Sequence, residues 1–185
     1  GDHRDLHLSL RRQRQMCIRD SSYVGGNPDG DITLVEFVDY KCGYCRKASE
    51  IVREFLRTDR NIRFVVKEFP ILGEASLISS KFAIAVKNIG GLEEYKFVHD
   101  ILLTLTADPS EAYLRRIANE LQLDPEELFT AMESEPVLQE ISQTSELAKK
   151  LKISGTPTFI LEEQVLRGFV PLDVLLQVAE TVRNK

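Results

Sequence analysis

Ile32-Thr33-Leu34-Val35-Glu36-Phe37-Val38-Asp39-Tyr40-Lys41-Cys42-Gly43-Tyr44-Cys45 is the stretch on which the fold turns. Its first nine residues are rich in β-branched and aromatic side chains with almost no polar alternation, the pattern of a strand buried on both faces. Beyond Cys45 the period changes. Ala48, Ile51, Val52, Phe55 and Leu56 recur on one helical face, while Arg46, Lys47, Glu50, Arg53, Glu54 and Arg57 fill the other. Two thiols three positions apart therefore fall in the first turn of a helix that leaves the end of a strand.

That placement is chemically useful. Residues three apart on a helix stand roughly 5–6 Å apart at Cβ, so Cys42 and Cys45 can close and reopen a disulfide with little backbone movement. Unsatisfied amide N–H groups and the positive end of the helix dipole favour a thiolate there, and the thiolate is the attacking species in disulfide exchange. Cys42 is the expected nucleophile. Cys45, one turn deeper and shielded, is the expected resolving thiol. The spacing by itself leaves open a pair of ordinary thiols or half of a zinc site, although no two further ligands lie at diagnostic spacing.

Composition narrows the function classes. A chain of 185 residues with 43% apolar content suits one sizeable domain. The formal charge of −5 comes from interspersed acids and bases, so no basic face argues for nucleic acid. No apolar run approaches the ~20 residues of a membrane span. Of the three cysteines, Cys17 lies in Met16-Cys17-Ile18-Arg19-Asp20, which resembles the peptide encoded by the end of a sequencing-library transposon adapter. Residues 1–22 are accordingly read as an unreliable or disordered extension and 23–185 as the domain. His3 and His7, at i, i+4 spacing in that extension, make no metal site, and no signal-peptide apolar core is visible.

Along the rest of the chain, Gly25-Gly26-Asn27-Pro28-Asp29-Gly30 reads as a loop feeding the first strand. Ile62 to Phe69 reads as a second strand ending at Pro70, parallel to the first because a helix connects them. From about 75 to 151 the sequence is a block of helices. Asp108-Pro109-Ser110-Glu111 and Asp124-Pro125-Glu126-Glu127 each place an Asp N-cap before a first-turn Pro. The block carries no evident chemistry, and His99 within it reads as a surface or packing residue. Thr158-Phe159-Ile160-Leu161 and Gln164-Val165-Leu166-Arg167 read as a hairpin around Glu162-Glu163, poor residues for a tight turn. A terminal helix follows, carrying Leu175, Val178, Ala179 and Val182. The order β-α-β, helices, β-β-α is an α/β, thioredoxin-like fold with an inserted helical block.

Three separated motifs then carry a resemblance. Val35-Glu36-Phe37-Val38-Asp39-Tyr40-Lys41-Cys42-Gly43-Tyr44-Cys45, Lys67-Glu68-Phe69-Pro70-Ile71-Leu72-Gly73 and Gly155-Thr156-Pro157-Thr158-Phe159 occur in the order found in bacterial DsbA/DsbC-type thiol–disulfide oxidoreductases. From about Tyr23 to Arg183 the chain resembles the single-domain DsbA-like members of that group. The resemblance implies a nucleophile at Cys42, a resolving thiol at Cys45 and a cis-Pro at Pro157 facing the pair. The backbone of Thr156 would then hydrogen-bond an extended substrate, with Tyr44 also in contact. It further implies that Glu36 is a buried acid relaying a proton to Cys45; the alternative is an edge position with Glu36 in water.

Gly43-Tyr44 between the thiols and Thr156 before the proline look more like the isomerase branch than the strongly oxidising one. The expected substrates are cysteine-containing unfolded or misoxidised proteins in the periplasm, with a membrane redox partner recycling the pair. No organic cofactor is expected, and oligomerisation only where the native N-terminus supplies it. Two rival readings use the same site: a Cu(I)-binding protein with two thiolate ligands, and a chaperone binding unfolded chains beside Pro157.

Overall fold

The structure is a computed structural model and describes residues 22–184. The readings of Cys17, of His3 and His7 and of the adapter-like peptide lie outside the described residues. Within them one mixed sheet contains β1 (Tyr23–Gly26), β2 (Ile32–Val38), β3 (Ile62–Glu68), β4 (Thr158–Leu161) and β5 (Gln164–Arg167), in the spatial order β1-β3-β2-β4-β5. β2 and β3 pair in parallel and flank α1 (Gly43–Thr58), which is the expected β-α-β unit. β4 lies antiparallel on the other side of β2, and β5 antiparallel to β4.

Between β3 and β4 come α2 (Glu74–Ile89), α3 (Leu92–Thr104), α4 (Glu111–Glu120), α5 (Pro125–Met132) and α6 (Glu135–Lys150), and α7 (Leu172–Arg183) closes the described chain. This is the thioredoxin-like α/β fold with its inserted helical block. All seven residues of β2 are buried, because helices cover both faces of the sheet. On one face Leu34, Val38, Phe64 and Val66 meet Val52 and Phe55 of α1, Phe82 and Tyr95 of the block and Leu175 of α7. On the other, Val35, Phe37, Val65 and Ile160 lie under Leu147 and Ala148 of α6.

Three details depart from the sequence expectations. Part of the presumed loop before β2 is strand β1, paired antiparallel to β3 from Tyr23↔Val66 to Gly26↔Arg63. Two of its four residues are glycines, which hid it from any propensity argument. Their small size has a use here: a Cβ on Gly26, whose φ is +66°, would stand 2.5 Å from the Ile62 carbonyl. Ser22, just before β1, is buried and accepts a hydrogen bond from Lys67 Nζ at 3.0 Å, so the packed chain reaches one residue past the expected boundary.

The second departure is at the start of α4. Its N-cap is Ser110, whose hydroxyl accepts from the Tyr113 amide at 3.2 Å. Asp108 is instead paired with Lys41 Nζ at 2.7 Å, and the same ammonium donates to the Thr106 carbonyl. The partner that Lys41 offers draws Asp108 away from the helix. Asp124 caps α5 as expected, accepting from the Glu126 amide at 2.9 Å.

The third concerns the hairpin, whose register Leu161↔Gln164 is tight in spite of its turn residues. Glu162 adopts φ +55°, and its carboxylate accepts from the Thr33 amide at 2.9 Å, tying the turn to the start of β2. A tertiary bond offsets the intrinsic reluctance of a non-glycine residue to adopt that conformation.

Candidate active site

Cys42 is the N-cap of α1, with φ −77° and ψ 115°, and its sulfur accepts from the Cys45 amide at 3.4 Å. One of the orphan amides of the first helical turn is thus directed at the sulfur. Both cysteines are free thiols. Cys42 is 7% exposed and Cys45 fully buried, so the expected order of accessibility holds, although little of either sulfur-bearing side chain meets solvent. The Cys42 thiol donates to the Thr156 carbonyl at 3.1 Å. The Thr156–Pro157 peptide bond is cis, and the Pro157 carbonyl accepts from the Gly168 amide at 2.9 Å. The structure thereby brings the Cys42–Cys45 pair together with Thr156 and Pro157, which lie more than a hundred positions away in sequence.

Asp39 organises the approach to the thiols. Fully buried, it accepts from the amide of Lys41 and the hydroxyl of Ser76 with one oxygen, and from the amides of Ile71 and Leu72 with the other, all within 3.0 Å. This fixes the loop after β3 beside the turn that presents Cys42. Arg46, directly after Cys45, donates to the carbonyls of Leu103 and Leu105 and so closes the C-terminal end of α3 onto α1. Tyr44 projects into solvent at 61% exposure, with the Lys47 ammonium 5.5 Å from its ring centre. The sequence reading passed over Asp39 and Arg46. A buried-strand run ending in Asp just before the helix was the available signal for the first; nothing local marked the second.

Glu36 is buried in the central strand, paired with Val66 on one side and Phe159 on the other, so the edge alternative is not met. Burial raises its carboxyl from 4.5 to about 8, and the neighbouring Glu68 charge pushes in the same direction. Burial also raises the Cys45 thiol well above its ordinary range, with the Glu36 charge adding to the effect. A buried thiol that resists ionisation and a buried acid that keeps its proton near neutrality thus influence one another across the sheet–helix boundary. Among the described residues no group of three or more His, Cys, Asp or Glu is placed to hold a metal ion.

The helical block contributes more than a cover. Glu68, at the end of β3, accepts from Tyr40 Oη at 2.7 Å, Tyr95 Oη at 2.5 Å and Ser80 Oγ at 2.7 Å. His99 is the packing residue expected, buried and stacked on Tyr95, but it also bonds Tyr40 Oη through Nδ1 at 3.0 Å. With the Tyr40 proton directed at Glu68, His99 Nδ1–H is the donor in that bond. Burial lowers the imidazole from 6.5 to about 4, so it is neutral at physiological pH.

Residues 19–177 match the family model described as Thioredoxin. A thioredoxin-like oxidoreductase from Silicibacter pomeroyi superimposes with a TM-score of 0.85 at 38% identity, over 93% of this chain and 98% of that one. The thiol-disulfide exchange protein α-DsbA2 from Wolbachia pipientis also superimposes with a TM-score of 0.85, at 24% identity over 98% of both chains, a likeness of fold. A Na(+)/H(+) antiporter NhaA of Salinispora tropica is 29% identical over 158 residues, which are 84% of this chain. The chain spans 24% of that protein's length. No described helix is long and apolar enough to cross a membrane.

Proposed function

The chain belongs to the thioredoxin family, and from that premise we propose that it exchanges disulfides with cysteine-containing proteins through Cys42 and Cys45. The observation that carries this reading is the setting of the Cys42 sulfur. It sits at a helix N-cap, engages the Cys45 amide, and lies 3.1 Å from the carbonyl that precedes a cis-proline. An extended substrate laid along that segment would bring its own sulfur to Cys42.

In the oxidising direction a substrate thiolate attacks Cys42 Sγ and the Cys42–Cys45 bond breaks. Cys45 leaves with the electron pair and takes a proton from Glu36. A second substrate thiolate then attacks the substrate sulfur of the mixed disulfide and releases Cys42, so the substrate loses two electrons and the pair gains them. In the reducing direction Cys42 attacks a substrate disulfide, Cys45 passes its proton to Glu36, and the resulting thiolate resolves the intermediate. The burial that keeps Cys45 protonated suits it to accept a proton on leaving.

The substrates of this reading are unfolded or misoxidised proteins, contacted by Tyr44 and the Thr156–Pro157 segment, in an oxidising extracytoplasmic compartment such as the periplasm. A membrane redox partner would restore the pair. Gly43-Tyr44 and Thr156 favour reduction and isomerisation over strong oxidation. Reduction of insulin by a small thiol, with and without the protein, tests the chemistry, and recovery of a scrambled multi-disulfide protein tests the direction. Acceleration by the wild type and none by Cys42→Ser is expected. Equal rates for the two refute the assignment, and stoichiometric retention of Cu(I) without exchange would favour the metal-binding rival.

A further inference from the structure

Glu68 and Glu36 lie on the same face of two adjacent parallel strands. Glu36 is opposite Val66 and Glu68 opposite Val38, so the carboxyls are diagonal neighbours beneath the Cys45 side of the sheet. Two buried carboxyls so close cannot both ionise freely. Their surroundings separate them. Glu68 accepts three hydroxyl bonds, from Tyr40, Tyr95 and Ser80, each of which favours the ionised form. The two influences resolved on Glu36, burial and the Glu68 charge, both favour its neutral form.

We propose that Glu68 is a positioning residue for the thiol chemistry: its hydroxyl-clamped carboxylate biases the neighbouring Glu36 to keep the proton that Glu36 delivers to the Cys45 sulfur. The inference rests on the disulfide-exchange reading and on Glu36 as the proton carrier. It assigns the Tyr40, Tyr95, Ser80 and His99 cluster a purpose that packing alone would not require, since a leucine in place of Glu68 would fill the space without desolvating a carboxylate.

The other groups facing Glu68 come from every element packed there. They are Tyr40 and Glu36 from β2 and its end, and Ser80 and Lys87 from α2. Tyr95 and His99 come from α3, Glu140 from α6 and Tyr23 from β1, stacked on Tyr95 at 4.6 Å. Burial raises Glu68 to about 7, with the Glu140 charge adding to it and the three hydroxyls opposing it. Lys87 and Glu140 are paired at 2.5 Å, which limits the unbalanced charge reaching Glu68 from that side. His99 stays neutral above about pH 4, so it does not switch in the range where the two carboxyls titrate.

The test uses protein labelled with carbon-13 at the glutamate carboxyls. The Glu36 resonance, identified by its loss in Glu36→Gln, is followed against pH in wild type and Glu68→Gln. Its midpoint should fall by about one pH unit from near 8 when the Glu68 charge is removed, leaving about fivefold less protonated Glu36 at pH 8. Tyr95→Phe covers the case in which Glu68→Gln fails to fold. With one hydroxyl gone Glu68 holds its proton to higher pH, and the Glu36 midpoint should move the same way by less. An unmoved midpoint in both variants overturns the proposal.

The rate at which a substrate thiol opens the oxidised pair supplies a second readout. Corrected for thiolate concentration, it should decline at lower pH in Glu68→Gln than in wild type, and Glu68→Gln should have no such effect in a Glu36→Gln background. A persistent effect there would refute action through Glu36. The carboxyl midpoint is read without turnover, so the two readings fail separately. Normal exchange with an unmoved midpoint defeats the coupling alone. A shifted midpoint in a protein that exchanges no disulfides defeats the functional reading, and with it the role given to Glu68.

Discussion

Replacing Glu36 by glutamine should make the protein's stability less dependent on pH, and the size of the change follows from the burial of that carboxyl. In the unfolded chain Glu36 ionises from its ordinary value of 4.5, while in the fold it holds its proton to about 8. A proton bound more tightly in the native state stabilises fully below 4.5, and that stability is lost as pH rises until the folded group also ionises. At 1.36 kcal/mol per pH unit the whole interval amounts to about 5 kcal/mol, of which roughly 3.5 kcal/mol is lost between pH 5 and pH 8. Glutamine fills the same volume, carries no charge and has no such dependence. The gap between Glu36→Gln and wild type should therefore widen in the variant's favour by about 3.5 kcal/mol from pH 5 to pH 8. That is a large part of the 5–15 kcal/mol typical of a folded domain, and equivalent to roughly 10 °C in Tm for a chain of this size. Urea unfolding of the reduced protein at pH 5, 6, 7 and 8 reads it directly. Taking the difference between the two proteins cancels the contribution of His99, which is present in both. Parallel stability–pH curves would refute the buried, proton-holding Glu36 on which the proposed relay depends.

Other expectations come from neighbouring features. Cys45→Ala should accumulate mixed disulfides with substrate proteins and Cys42→Ser should not, seen as thiol-sensitive adducts on non-reducing gels; equal trapping would overturn the division of roles. His99 is neutral in the fold down to about pH 4 but protonates near 6.5 when unfolded, so its own contribution to stability should fall by about 3 kcal/mol as pH drops across that interval, read as the difference between wild type and His99→Phe. His99→Phe should lack this acid limb while losing about 1–2 kcal/mol at pH 7 with the Tyr40 bond, as measured by denaturation. Ser110→Ala should destabilise by about 1 kcal/mol, as the loss of an N-cap. Asp108→Ala should change stability by less than about 0.5 kcal/mol, since the Asp108 side chain is largely exposed and Lys41 keeps its bond to the Thr106 carbonyl. The reverse ranking in thermal melts would restore Asp108 as the cap.

The sequence alone determined whatever is written in local period or in short motifs. The β2 run, the face of α1, the succession of helices from 74 to 150 and the Cys42–Cys45 spacing each follow from neighbours a few residues apart, and each is where it was expected. A helix N-terminus at the thiols needed no tertiary information, because the apolar period changes at Cys42. Glu36 stood out for the same local reason, as one charge inside an uninterrupted apolar strand. Other features depend on partners distant in sequence. β1 exists because β3 offers it an edge, Asp108 leaves its helix because Lys41 is near, and Glu162 holds its turn because the Thr33 amide donates to its carboxylate. Above all, the hydroxyls of Tyr40, Ser80 and Tyr95 meet at Glu68 only when the inserted helices close over the sheet. In sequence each of these residues reads as an ordinary core or surface position. The energy of a buried carboxylate is set by which donors surround it, and those donors come from three elements whose arrangement no local pattern records.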